Sequence, residues 1–135
     1  MIVKQVRLPN QSKEKLSRLK GKTGISNWNI LCRWALCFSL NEKTIPADNE
    51  LIMDSNVEMS WMTFAGENYE IYEALIKARC IKDNLPIDEE TLAKYFRLHL
   101  NRGISYLSGT NVIKSIEDLV SLACRGWKYE YLFRL

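Results

Sequence analysis

Residues Leu8 to Leu40 read LPNQSKEKLSRLKGKTGISNWNILCRWALCFSL, and the punctuation inside this stretch sets the architecture. Pro9 closes the short strand-like run Val3 to Leu8 (VKQVRL), because proline brings no amide to a β-ladder. Asn10 or Ser12 is then placed to cap a helix in which Leu16 and Leu19 recur at helical spacing among Lys, Arg, Ser and Glu. GKTG (Gly21 to Gly24) supplies glycines that can take positive φ at a helix end. Ser26 or Asn27 caps a second helix, WNILCRWALCFSL, which is apolar on so many sides that burial is expected, in part against another subunit.

Working outward, the charge is unevenly divided. Residues 1–43 hold nine Lys/Arg (Lys4, Arg7, Lys13, Lys15, Arg18, Lys20, Lys22, Arg33, Lys43) against Glu14 and Glu42, a formal +7. Residues 44–135 hold ten bases against fourteen acids, a formal −4. A solvated helix face usually mixes its signs into i,i+4 pairs, whereas Lys13 to Lys22 sets five bases against Glu14 alone. A concentrated positive front end repels itself unless it meets a polyanion.

The chain of 135 residues fits one domain, a basic segment over 1–43 and an acidic helical body over 44–135. The body reads as a polar loop over Pro46 to Ser55, then VEMSWMTF (Val57 to Phe64), which fits strand or helix. A helix follows over Tyr69 to Ile81, and another begins after Asp88, whose carboxylate and the early Glu89 and Glu90 suit a helix start. Ser108-Gly109-Thr110-Asn111 reads as a turn and Val112 to Ala123 as a last helix. The fold class is mainly α. The start, MIVKQVRLPNQ, has no apolar h-region of a signal peptide, and no apolar run approaches the ~18 residues of a membrane span. A cytoplasmic protein without a membrane partner is expected.

Catalysis has little support in these residues. Glu67, Glu70 and Glu73 share a helical face and Glu117-Asp118 start another helix, but a metal-dependent nuclease needs acids that converge at short range. There is no phosphate-cradling glycine loop, nucleophile elbow or HExxH. Cys32, Cys37, Cys80 and Cys124 are widely spread in apolar surroundings and read as buried structural thiols; with the single His99 they do not form a zinc pattern. His99, inside KYFRLHL, reads as a packed residue. No cofactor, metal or catalytic residue is expected. Trp28 and Trp34 read as packing rather than base-stacking residues, and Gly21 and Gly24 as a helix end that could also allow close approach of DNA or a neighbouring subunit.

Two resemblances add to this. The order strand, Pro, basic helix, Gly turn and apolar helix resembles a ribbon-helix-helix module, on Val6-Arg7-Leu8-Pro9, Leu16, Leu19, Thr23-Gly24-Ile25-Ser26, Leu31 and Ala35. Such modules pair strands from two chains into a ribbon that enters the DNA major groove, with a phosphate at the start of the second helix, here near Ser26 and Asn27. By that analogy Val3, Gln5 and Arg7 face outward and Lys4 inward. Taken nearly whole, the chain resembles the DndE family of bacterial DNA phosphorothioation proteins, on Leu8 to Leu40 with support from Arg102-Gly103-Ile104-Ser105-Tyr106-Leu107. This resemblance implies a non-catalytic homotetramer that binds duplex DNA, prefers nicks, and works beside the other proteins of the modification system. The DNA-contacting residues expected are Lys13, Lys15, Arg18, Lys20 and Lys22, with Lys4, Arg7 and Lys43 secondary. Two other readings stand beside it. One is a sequence-specific repressor using Gln5 and Arg7; the other is an adaptor that assembles the modification enzymes.

Overall fold

The computed structural model describes residues 1–109 and 112–124. Its elements are β1 (Gln5–Arg7), α1 (Asn10–Thr23), α2 (Trp28–Asn41), β2 (Glu58–Ser60), α3 (Trp61–Ala65), a 3-10 turn (Gly66–Asn68), α4 (Tyr69–Lys82) and α5 (Glu89–Leu107). Residues 116–124 form a further helical stretch, α6. The chain is mainly helical, as the periodicity implies. Of the expected turn at Ser108 to Asn111, Thr110 and Asn111 lie outside the described residues, as does everything after Cys124.

β1 pairs antiparallel with β2 of the same chain, in the register Gln5↔Ser60, Val6↔Met59 and Arg7↔Glu58. The ribbon-helix-helix order implies pairing between two copies of this strand; the partner found here is instead β2. The alternation holds within the ladder, where Gln5 and Arg7 are exposed and Val6 is buried. It fails before it. Val3 is buried and Lys4 exposed, the reverse of the expectation, because the chain bends at Lys4 and the pleat begins only at Gln5. The Lys4 carbonyl instead accepts the Trp61 amide at 3.0 Å, which joins this bend to the start of α3. VEMSWMTF thus contains both alternatives, a strand and then a helix, divided at Ser60, whose Oγ accepts the Thr63 amide at 3.1 Å.

α1 starts at Asn10, with Pro9 in the cap position and no side-chain cap of its own. Neither Asn10 nor Ser12 caps it. The Asn10 amide donates to Asp54 Oδ1 at 2.8 Å, so an acid from the loop between α2 and β2 meets one of the free N–H groups of the first turn. Ser12 lies within the helix, buried, its hydroxyl donating to Asn101 Oδ1 of α5. The helix ends at Gly24, where φ is +76° and the amide returns to the Lys20 carbonyl at 2.9 Å. Gly21 is still helical, so the stop is narrower than GKTG suggests.

α2 and α5 form the centre. Leu31, Cys32, Ala35, Leu36 and Ser39 make the buried stripe of α2, and α5 answers with Leu92, Phe96, Leu100, Ile104 and Leu107. Trp61, Phe64 and Phe96 stack and meet edge-on with centroids 5.2–5.5 Å apart, which locks α3 onto α5. Asp88 caps α5 as expected, accepting the Thr91 amide at 2.8 Å.

The C-terminus of α2 is held by two arginines. Arg79 of α4 is 4% exposed and donates to the carbonyls of Leu40, Glu42 and Thr44 and to Asp83 Oδ2 at 2.8 Å. Arg102 of α5 donates to the Ser39 carbonyl and the Thr44 carbonyl, both at 2.8 Å. Cations at a helix C-terminus answer its free carbonyls and its negative dipole end, and the direct bonds offset the cost of burying the charge.

Two cysteines correct the expectation of buried thiols. Cys32 and Cys80 are buried, but Cys37 and Cys124 are exposed. Cys37 falls on the outer face of α2, opposite the buried stripe. Burial pushes the Cys32 thiol up to about 12, which leaves it protonated and unreactive near neutral pH. His99 is packed, as expected, with Nδ1 2.8 Å from Ser39 Oγ.

Candidate nucleic-acid interface

The buried face of α1 is Ser12, Leu16, Leu19 and Thr23. At 100° per residue, the five cations of this helix divide into two stripes on either side of the outward line. Lys13 and Lys20 share one stripe; Lys15, Arg18 and Lys22 share the other, with Gln11 at its head. Glu14, Ser17 and Gly21 lie between them. The sequence groups these residues as one basic face, and the helix resolves that face into two borders.

Each stripe runs beside a different part of the fold. Lys13 Nζ donates to Asn56 Oδ1 at 2.5 Å, just before β2, and Lys20 Nζ sits 3.3 Å from the centre of the Trp28 ring at the start of α2. A cation over an indole face is attracted by the ring quadrupole. This contact gives Trp28 a part in orienting a basic side chain as well as in packing. On the other side Lys15 Nζ donates to Ser105 Oγ of α5 at 2.9 Å, while Arg18 and Lys22 are exposed.

The secondary candidates surround this helix unevenly. Arg7 points outward from β1 but its guanidinium donates to Glu58 Oε2 at 2.8 Å, directly across the ladder. Lys4 is exposed at the bend before β1, and Lys43 is exposed just beyond α2. Arg33, the one cation of the basic segment left out of the expected set, turns inward to the carbonyls of Thr63 and Phe64.

A cleft of about 760 Å³ opens on the Lys15 side, between the start of α1, the loop 44–54 and the last turns of α5. Lys15, Asn101, Arg102, Ser105 and Tyr106 line it, with Glu50 on the loop. None of the α5 or loop residues belongs to the expected contact set. Their only sequence signal is that Arg102 to Leu107 carries part of the family resemblance. Among the described residues no three His, Cys, Asp or Glu side chains converge as a metal site, and Glu73 meets the N-terminal amine at 3.1 Å.

Fold and surface together define a small helical protein that presents a basic helix beside a two-stranded sheet. Residues 5–115 match the family model of DndE, the DNA sulphur modification protein. The chain belongs to the DndE family. Among solved structures it is similar to DndE from Escherichia coli B7A, involved in DNA phosphorothioation modification, at 25% identity and a TM-score of 0.66 over 79% of this chain and 98% of that one. A glycine-to-lysine double mutant of DndE shares the fold at 20% identity and a TM-score of 0.61, over 79% of this chain and 100% of that one. No curated protein sequence matches the chain.

Proposed function

We propose that this chain is a non-catalytic, DNA-binding component of a bacterial DNA phosphorothioation system. It meets the backbone of duplex DNA through Lys13, Lys15, Arg18, Lys20 and Lys22, with Lys4, Arg7 and Lys43 at the margins. The observation that carries this reading is the outer surface of α1, where two cationic stripes enclose a single acid, Glu14. Phosphate neutralisation by such a surface releases counterions, so affinity falls with salt at a slope of about −0.9 per phosphate contact. The first turn of α2, opening at Asn27 without a side-chain cap, adds backbone N–H groups of the kind that donate to a phosphate in ribbon-helix-helix modules.

The preference for nicked DNA follows from shape. A nick lets the duplex bend at lower cost, so more phosphates reach a curved basic surface. Assembly into a homotetramer repeats that surface and raises avidity. Its contacts come from the outer side of α2, where Ile30 and Trp34 are half-buried in the single chain. The protein works in the cytoplasm beside the other proteins of the system. Binding to matched intact, nicked and single-stranded DNA across a salt series tests this reading; weak binding to all three overturns it.

A specific observation favours an adaptor role as a second reading. Met62, Ile71 and Leu75 are 51%, 57% and 40% exposed, on α3 and α4 and away from the basic helix. Ile71 and Leu75, four residues apart on α4, lie on one face of that helix, and exposed apolar side chains of this kind suit a protein partner. The operator-specific repressor reading is weaker, because Arg7 is already engaged by Glu58.

A further inference from the structure

The cleft beside α1 is continuous, through Lys15, with the Lys15, Arg18 and Lys22 stripe. Its volume of about 760 Å³ is of the size that holds a nucleotide-sized ligand. Its groups are of three kinds. Cations stand on the α1 and α5 walls: Lys15 uses one of its three donors on Ser105, and Arg102 is fixed in place by its bonds to Ser39 and Thr44. An aromatic wall is provided by Tyr106, which is 39% exposed, braced edge-on against Phe38 at 5.9 Å, with the Arg102 guanidinium 5.6 Å from its ring centre. The exposed carboxylate of Glu50 on the loop adds an acceptor, whereas the amide of Asn101 at the cleft floor is buried and already held by Ser12 and the Arg97 carbonyl.

We infer that this cleft receives one unpaired nucleotide of a DNA strand that lies along the Lys15, Arg18 and Lys22 stripe. Lys15 meets its phosphate within the field of Arg102, the base lies against Tyr106, and Glu50 accepts from an exocyclic amino group. The fit is to an unpaired nucleotide because every base has a face to stack, whereas a paired base within the helix cannot enter a cleft. Glu50 repels a second phosphate, which limits the cleft to one nucleotide and leaves the rest of the strand to the helix surface. This inference rests on the DNA-binding reading and adds a site that the basic stripes do not by themselves require.

The test compares an intact duplex with the same duplex carrying a single unpaired bulged nucleotide, by fluorescence anisotropy. The proteins are wild type, Tyr106→Ala and Asn49→Trp, the last placing a bulky side chain on the exposed loop that lines the cleft. Wild type is expected to bind the bulged duplex about tenfold more tightly, the scale of one base–aromatic stack. Both variants are expected to lose that advantage and keep their affinity for the intact duplex, which also shows that they are folded. An advantage that survives in both variants comes from easier bending and overturns the cleft site. Equal wild-type affinity for the two duplexes overturns it as well, while leaving the DNA reading intact. Binding to neither duplex contradicts the DNA reading itself and removes the inference with it.

Discussion

Gly103 of α5 lies directly on the backbone of Ala35 in α2: a Cβ at position 103 would sit 1.8 Å from the Ala35 carbonyl oxygen and 2.4 Å from its carbonyl carbon. The two central helices touch backbone to backbone at this point. That contact sets how closely α5 approaches, and with it the positions of Arg102, Ser105 and Tyr106 along the cleft.

Gly103→Ala is therefore expected to destabilise the protein. In a free helix this exchange is favourable by about 1 kcal/mol. Here the methyl group has to displace backbone, and overpacking costs about 1–3 kcal/mol or more. Chemical denaturation of the variant checks the sign, and a more stable Gly103→Ala protein would contradict the close approach.

Arg79→Met removes the buried cation that gathers the carbonyls of Leu40, Glu42 and Thr44 and leaves Asp83 without its ion-pair partner. Breaking a buried pair from one side costs about 3–5 kcal/mol. The loss should appear as a lower denaturation midpoint. The double variant Arg79→Met with Asp83→Leu is expected to recover part of it, because the stranded carboxylate is then gone.

His99 makes the stability pH-dependent. Burial, with the positive charges of Arg102 and Arg79 adding to it, pulls its pKa from the ordinary 6.5 to about 4. The unfolded chain takes up this proton first on acidification, so stability falls as pH drops from about 6.5 towards 4 and is flat above that range. The Asp83 carboxyl is pushed up by burial, but bonds from Tyr95 and Arg79 outweigh this and hold it below its usual value of 3.8. Its contribution is thus present at neutral pH and lost only at lower pH than that of His99. His99→Gln is expected to flatten the profile between pH 6.5 and 4; an unchanged profile would show that another group governs it.

The two stripes of α1 should differ in their response to neutralisation. Arg18 and Lys22 are exposed, whereas Lys15 holds Ser105 and Lys20 lies over Trp28. Arg18→Gln with Lys22→Gln is expected to leave the denaturation midpoint in place and reduce the salt slope of DNA binding by about 2, one phosphate each. Charge reversal at Lys15 and Lys20 separates the two functional readings. Loss of DNA binding together with phosphorothioation in cells supports the DNA reading, and modification that survives the loss supports the adaptor.

Much of this fold is legible because its signals are local. Asp88 announces α5 by its own capping bond to Thr91, and Gly24 ends α1 by a positive φ that glycine takes without strain. What stays hidden depends on distant partners. Nothing near β1 says that it will pair with Glu58–Ser60 rather than with a second copy, since hydrogen bonding along a strand edge is indifferent to sequence. The same distance hides the cap that Asp54 gives to Asn10 and the cleft that α1, the 44–54 loop and α5 enclose together. The basic character of α1 is legible at once, but its division into two borders needs the buried face of Leu16 and Leu19 as a reference. Cys37 misleads for a related reason. Its apolar neighbours in sequence wrap around the helix, and it alone of the two α2 cysteines falls on the outer side.

Whether the basic surface of α1 meets DNA is decided by anisotropy titration of an intact duplex at a series of salt concentrations, with wild type and the Arg18→Gln, Lys22→Gln variant side by side. Sequence-indifferent binding that weakens steeply with salt is expected, with a shallower slope for the variant. Binding that is absent, or that has the same salt slope in both proteins, would contradict the DNA reading.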